Sequence, residues 1–165
     1  MKQEQEMHEF WMRKALQLAD IAEQHDEVPV GAIVVRGDEI IGQGWNQSIG
    51  SHDPSAHAEM IAIREAGKKL ANYRLIDCRL YVTLEPCPMC AGLLVHSRLQ
   101  QVIFGAKDAK TGAAGSIINL VEHEALNHQL DVVSGVLADE CGDKLSAFFK
   151  RRRAEKKQLK KLLKS

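Results

Sequence analysis

The chain has 165 residues, 45% hydrophobic and 27% charged, which fits one globular domain and excludes a disordered chain. No apolar run nears the ~20 residues of a membrane span, and the polar start Met1-Lys2-Gln3-Glu4-Gln5-Glu6 does not suit a signal peptide, so a cytoplasmic setting is expected. Net charge is zero but segregated: residues 150–165 hold nine Lys or Arg and one Glu, a net of +8, leaving −8 on the rest. Such an asymmetry suggests a polyanion partner at the C-terminal end, although charge alone slightly favours a solvated helix end.

Trp11, Ala15, Leu18 and Ala22 recur at helical spacing, so residues ~6–24 read as an amphipathic helix. Gly31–Val35 and Glu39–Gly44 are β-rich runs about Gly37-Asp38, a hairpin signal. Residues 45–55 read as a loop, 56–70 as a second helix, 79–84 as a strand and 88–97 as a third helix. Gln101–Phe104 is another strand, followed by a Gly/Ala-rich loop through Ser116. Asp131–Val133 is a final strand, and a long helix from about Ala138 ends in the basic tail. Strands alternating with helices predict a layered α/β domain, with a sheet made mixed by its opening hairpin. No linker or repeat divides the chain, so residues 1–165 are expected to form a single domain.

Of four cysteines, Cys78 and Cys141 read as small buried residues. Cys87 and Cys90 are paired in Pro86-Cys87-Pro88-Met89-Cys90, where a strand hands over to a helix. By itself a C-x-x-C is equally a redox dithiol or half of a zinc site. His57-Ala58-Glu59 shifts the balance toward metal, because a redox dithiol gives no reason for it. One His and two Cys supply three ligands and leave one position for water, as in a catalytic rather than a structural zinc site. Glu59 is then the candidate base that moves the water proton. Residues two apart on a regular helix point ~200° apart, so His57 and Glu59 can share a site only at an irregular first turn. Gly105–Thr111 resembles a nucleotide P-loop, but Ala109 stands where that loop needs Gly before its Lys, and we reject it. The loop can still line a cleft or be an ordinary surface turn.

His57-Ala58-Glu59 followed by Pro86-Cys87-Pro88-Met89-Cys90 resembles the H-x-E…P-C-x-x-C pattern of the zinc-dependent nucleoside and nucleobase deaminases. That pattern fixes the reaction and leaves the substrate open. Val28–Ala32, Gly44-Trp45-Asn46, His52–Ser55, Asn72–Leu75, Asp108–Ser116, Asn127-His128, Leu137–Cys141 and Phe148–Arg153 are similar to the tRNA adenosine deaminase family. The resemblance implies a cytidine deaminase-like three-layer α/β/α fold with a mixed five-stranded sheet, and a homodimer. It implies a hydrolase acting on C–N bonds in cyclic amidines, converting adenosine to inosine at the wobble position of a tRNA anticodon, an arginine tRNA being the expected substrate. It also implies one Zn²⁺ per subunit on His57, Cys87 and Cys90, with Glu59 as proton shuttle. Asn46 would contact the flipped nucleoside, Asp108 and Lys110 the anticodon loop, and Phe149 and Arg152 the RNA beside the C-terminal helix. Pro29-Val30 and Leu84 can wall the base or simply belong to the core. Two rivals stand beside this reading: a free-base deaminase for guanine or cytosine, and a non-catalytic zinc-binding RNA module in which Glu59 is incidental.

Overall fold

A computed structural model describes residues 1–164. Its elements are α1 (Lys2–Gln24), β1 (Gly31–Arg36), β2 (Glu39–Trp45), α2 (Ala58–Leu70), β3 (Cys78–Leu84), α3 (Pro88–His96), β4 (Gln101–Ala106), β5 (Asp131–Val133) and α4 (Ala138–Lys164). The five strands form one sheet in the order β2-β1-β3-β4-β5. β1 runs antiparallel to both its neighbours, while β3, β4 and β5 are parallel. The expected mixed sheet is therefore present, with its antiparallel part made by the hairpin. Gly37, at φ +62°, supplies the left-handed residue of that two-residue turn.

Side chains alternate across the strands and both faces are covered, which is why Gly31–Val35 reads as an unbroken apolar run. On one face Ala32, Val34, Leu80, Val82 and Phe104 pack against Ala58, Ala62 and Ala66 of α2 and Leu94 of α3. On the other, Ile33, Val35, Tyr81 and Ile103 meet Trp11, Met12 and Ala15 of α1 and Cys141 of α4. Cys78 and Cys141 are both buried in these clusters, as the sequence suggested. Gly42 and Gly44 let α2 lie backbone to backbone on β2: a Cβ at Gly42 would strike the carbonyl of Ala62, and one at Gly44 that of Ala58.

The helix boundaries shift where local chemistry overrides periodicity. α1 starts at Lys2, because Lys-Gln-Glu residues propagate a helix without an apolar stripe to mark it. α2 starts at Ala58, because Asp53 turns the preceding chain by accepting the N–H and hydroxyl of Ser55. α4 lies along α1, held by the pairs Arg13–Glu140, Lys144–Asp20 and Arg151–Asp26, and its exposed end runs on to Lys164.

One topological fact places the site. β2 and β3 each run antiparallel to the β1 strand between them, so they are parallel to each other. The helices that follow them, α2 and α3, must therefore begin over the same end of the sheet. Two strand spacings separate them by roughly 9.6 Å, which suits the 8–10 Å of packed helices.

Candidate active site

His57 sits just outside α2 with extended backbone, φ −78° and ψ 154°, and Glu59 is the second residue of the helix. The irregular first turn that the sequence required is thus the helix entrance itself: His57 never takes helical geometry, so the ~200° argument does not apply to it. Cys87 repeats the arrangement before α3, at φ −74° and ψ 172°, with Pro88 as the first helical residue and Cys90 in the first turn. Pro is well placed there because the first N–H of a helix has no intrahelical partner to lose.

The two helix entrances bring His57 Nδ1 to 3.6 Å from Cys87 Sγ and 3.5 Å from Cys90 Sγ. All three ligand atoms lie within 4.8 Å of one another, a group that can hold a metal ion. Tetrahedral zinc, with Zn–S about 2.3 Å and Zn–N about 2.0–2.1 Å, would set N and S roughly 3.6 Å apart. The residues fit that ion. A hydrogen bond from the Cys90 thiol, reinforced by His57, lowers the Cys87 thiol to about 4. Cys90, sharing its proton with that thiolate and buried, is pushed up. His57 is raised, chiefly by its hydrogen bond with Cys87. The pair thus holds one thiolate ready and one proton for a metal to displace.

Glu59 is 4% exposed, and burial lifts its carboxyl to about 7 in the metal-free chain, against the opposing pull of its own N–H and of His57. A carboxyl that changes protonation near neutral pH can both take up and give back a proton.

Beside this group lies a cavity of about 250 Å³, smaller than the ~300–1,000 Å³ of extended ligands. His57, Glu59 and Cys87 line it on the metal side; Val28, Val30 and Leu84 give it apolar sides; Asn46, Glu85, Asp108, Thr111 and Phe149 complete the lining. Val30 and Leu84 therefore serve both cavity and core, whereas Pro29 does not line it. Asn46 Oδ1 accepts the N–H of Ala58 at 2.8 Å, and the same residue lines the cavity. Phe149 is 43% exposed, while its neighbour Phe148 is buried at 1% beneath Arg151 and Arg152.

Three of the residues singled out from the sequence do not line this cavity: Cys90, whose sulfur still meets His57 Nδ1, together with Lys110 and Arg152. Lys110 lies in the same loop as Asp108, whose Oδ1 accepts its backbone N–H, but it is not among the lining residues. Arg152 donates to the carbonyl of Asp26 and covers Phe148 at 5.0 Å, so it helps fasten α4 to the body. Two buried carboxylates escaped the sequence reading. Glu27 accepts the N–H groups of Ile49 at 3.1 Å and Gly50 at 2.7 Å. Glu85 accepts those of Asp108, Ala114 and Ser116. Both hold loops that flank the cavity. Within the rejected P-loop candidate, the N–H of Asp108 is spent on Glu85 and those of Lys110 and Thr111 on the Asp108 carboxylate. A larger depression of about 610 Å³ lies near α2 and Tyr73, but among the described residues the metal-ligating group is the one at the helix entrances.

A group able to hold a metal, with a buried carboxyl beside it and a small cleft next to both, suits a metal-dependent hydrolase, and on this fold a deaminase. The chain belongs to the cytidine and deoxycytidylate deaminase family: the zinc-binding region of that family matches residues 5–106. Zinc is accordingly its metal. The tRNA-specific adenosine deaminase of Haemophilus influenzae is 56% identical over 161 residues, covering 97% of this chain and 93% of its own. That of Bacillus subtilis is 50% identical over 155 residues, 94% of this chain and 96% of its own. A solved structure from work on A-to-I editing by tRNA:A34 deaminases at the wobble position superposes with TM-score 0.79 at 38% identity, covering 81% of this chain and 97% of its own. A guanine deaminase from Nitrosomonas europaea shares the fold at TM-score 0.72 and 25% identity, with 83% and 81% covered.

Proposed function

We propose that the chain is a tRNA adenosine deaminase, working as a single domain that hydrolyses adenosine to inosine and ammonia at the wobble position of an anticodon. The observation that carries this reading is Glu59, buried between His57 and the two cysteines at the floor of a cavity large enough for one base. The tRNA-specific relatives at 56% and 50% identity support the same substrate class. An anticodon loop is single-stranded, so turning one base out of it into such a cavity costs little.

His57, Cys87 and Cys90 would hold zinc, whose Lewis acidity would make a water nucleophilic near neutral pH. Glu59 takes the proton of the attacking water and passes it to the ring nitrogen beside C6. It then carries the second proton to the departing amine, so that water and adenosine leave as inosine and ammonia. Asn46 holds the base through its free amide N–H, Val30 and Leu84 bracket the ring, and Phe149 stacks on a neighbouring nucleotide. Asp108 and Lys110 meet the anticodon backbone, and Arg152 with the basic end of α4 supplies phosphate contacts that carry affinity more than sequence choice.

An arginine tRNA, a homodimer and a cytoplasmic location complete the proposal. Met89 at the entrance of α3, Ile117 and Ile118 are exposed apolar side chains that a second copy could cover. No helix among the described residues is long and apolar enough to cross a membrane.

The decisive experiment incubates zinc-loaded protein with an anticodon stem-loop carrying adenosine at the wobble position, with free guanine, and with free cytosine, and follows ammonia. Release from the stem-loop alone is expected. Release from guanine or cytosine would establish a free-base deaminase, and release from none a binding module.

A further inference from the structure

We infer that Glu85 is a positioning residue for this reaction: its buried carboxylate is the hub around which residues 107–116, one wall of the substrate cavity, are wound. The inference rests on the function proposed above.

The side chain is only 2% exposed and no cation pairs with it among the described residues. Its charge is met by four donors from one loop. Oε1 accepts the N–H of Asp108 at 3.1 Å and the hydroxyl of Ser116; Oε2 accepts the N–H of Ala114 at 3.1 Å and of Ser116 at 3.0 Å. Main-chain bonds fasten the same two segments, from Glu85 N–H to Ala106 at 2.9 Å and from Ala113 N–H to the Pro86 carbonyl at 2.8 Å. The loop then builds outward. Asp108 Oδ1 accepts the N–H groups of Lys110 and Thr111, and Oδ2 accepts the Thr111 hydroxyl at 2.8 Å. That tight turn is what sets Asp108 and Thr111 on the cavity rim. Gly112 closes against the hub so tightly that a Cβ there would strike the Glu85 carboxylate.

A loop without regular structure has no ladder for its buried N–H groups, so their acceptor decides its shape. Glu85 is two residues before the ligand Cys87. One strand end thus fixes the metal seat through α3 and the substrate wall through this carboxylate. Glutamine has the same shape but turns one acceptor oxygen into a donor, which must then face an N–H. The wall should open while β3 and α3 stay in place.

The test compares wild type, Glu85→Gln and Ser116→Ala, all zinc-loaded. It reads stem-loop kinetics, zinc content and hydrogen exchange of the peptide covering 107–117. For Glu85→Gln we expect full zinc, kcat within about threefold, KM raised at least about tenfold, and protection lost in that peptide but not in α1 or β3. Ser116→Ala removes one donor of four and should shift KM and exchange the same way by less. A merely structural role would lower kcat with an unchanged KM and loosen α1 and β3 as well, which overturns the inference. So does loss of zinc, or an unchanged KM and exchange. Should Glu85→Gln not fold, Ser116→Ala decides alone: wild-type KM and exchange refute the hub. If wild type leaves the stem-loop untouched, the proposed function falls, and the exchange arm still judges whether Glu85 orders the loop.

Discussion

Asn46, just past the end of β2, caps the helix that carries the metal-binding histidine, by accepting the N–H of Ala58 at 2.8 Å. α2 has no cap from its own first residue, since His57 occupies that place with its ring turned to the metal seat. The acceptor therefore comes from another element, and the proposed function gives the nitrogen half of the same amide to the substrate.

The two halves separate by mutation. Asn46→Asp keeps an acceptor for the cap and loses the amide donor; Asn46→Ala loses both. We expect Asn46→Ala to lower stability by about 1 kcal/mol, the usual cost of a lost cap, and Asn46→Asp to melt near wild type. Both should raise KM for the stem-loop. Wild-type turnover by Asn46→Asp would show that the amide nitrogen does not touch the base.

Chelation should stop turnover without unfolding the chain. The sheet and helices close over aliphatic clusters that do not depend on the metal, unlike small domains that zinc alone holds together. Circular dichroism of the chelated protein should match that of the loaded one, and zinc should restore activity. Cys87→Ala should lose zinc and activity together while remaining folded.

Glu59→Gln removes the carboxylate to which the proposed function assigns the proton and keeps the shape of the site. Positioned acid–base groups contribute about 10²–10⁴-fold, and in the proposed reaction Glu59 would serve more than one transfer. We expect kcat to fall at least that far, with zinc content and stem-loop affinity retained. Retention of a tenth of the wild-type rate would assign the proton to another group.

Adjacent phenylalanines should behave in opposite ways. Phe148 lies under two guanidinium groups in the joint between α4 and the body, so Phe148→Ala should cost about 3–5 kcal/mol of stability. Phe149→Ala should leave stability nearly unchanged and weaken stem-loop binding by about 1–3 kcal/mol, the value of a stacked base. Equal melting temperatures for the two variants would mean that α4 sits differently on the body.

The basic end of α4 is tested by salt. Arg153→Ala with Lys157→Ala should flatten the log–log dependence of stem-loop affinity on salt by roughly one unit for each phosphate contact removed. Arg152 is a poorer probe, because its tie to the Asp26 carbonyl makes its loss a packing change as well.

Much of this architecture was legible because both sheet faces are buried and the strands read as short apolar runs. Cys87 and Cys90 alone fit a redox dithiol as well as a metal, and they stood out as ligands only beside His57-Ala58-Glu59, for which a dithiol gives no reason. The approach of His57 to Glu59 was not readable, since periodicity describes the inside of a helix and His57 stops one residue short of it. Glu27 and Glu85 were missed for a different reason. A single Glu is ordinarily a solvated residue, and only the folded chain shows backbone N–H groups converging on it. The available signal was position: Glu85 stands between the apolar strand β3 and Pro86-Cys87, where a surface residue has little room.

The segregated charge also governs how this molecule behaves in the hand. An isoelectric point near 7.1 suggests a protein that neither kind of ion exchanger holds at neutral pH. That number averages a body of −8 with a helix end of +8 that projects from it. A resin senses the nearest patch rather than the mean, so the chain should bind a cation exchanger tail first and an anion exchanger body first. Cutting it before Lys150 should abolish the first behaviour and strengthen the second.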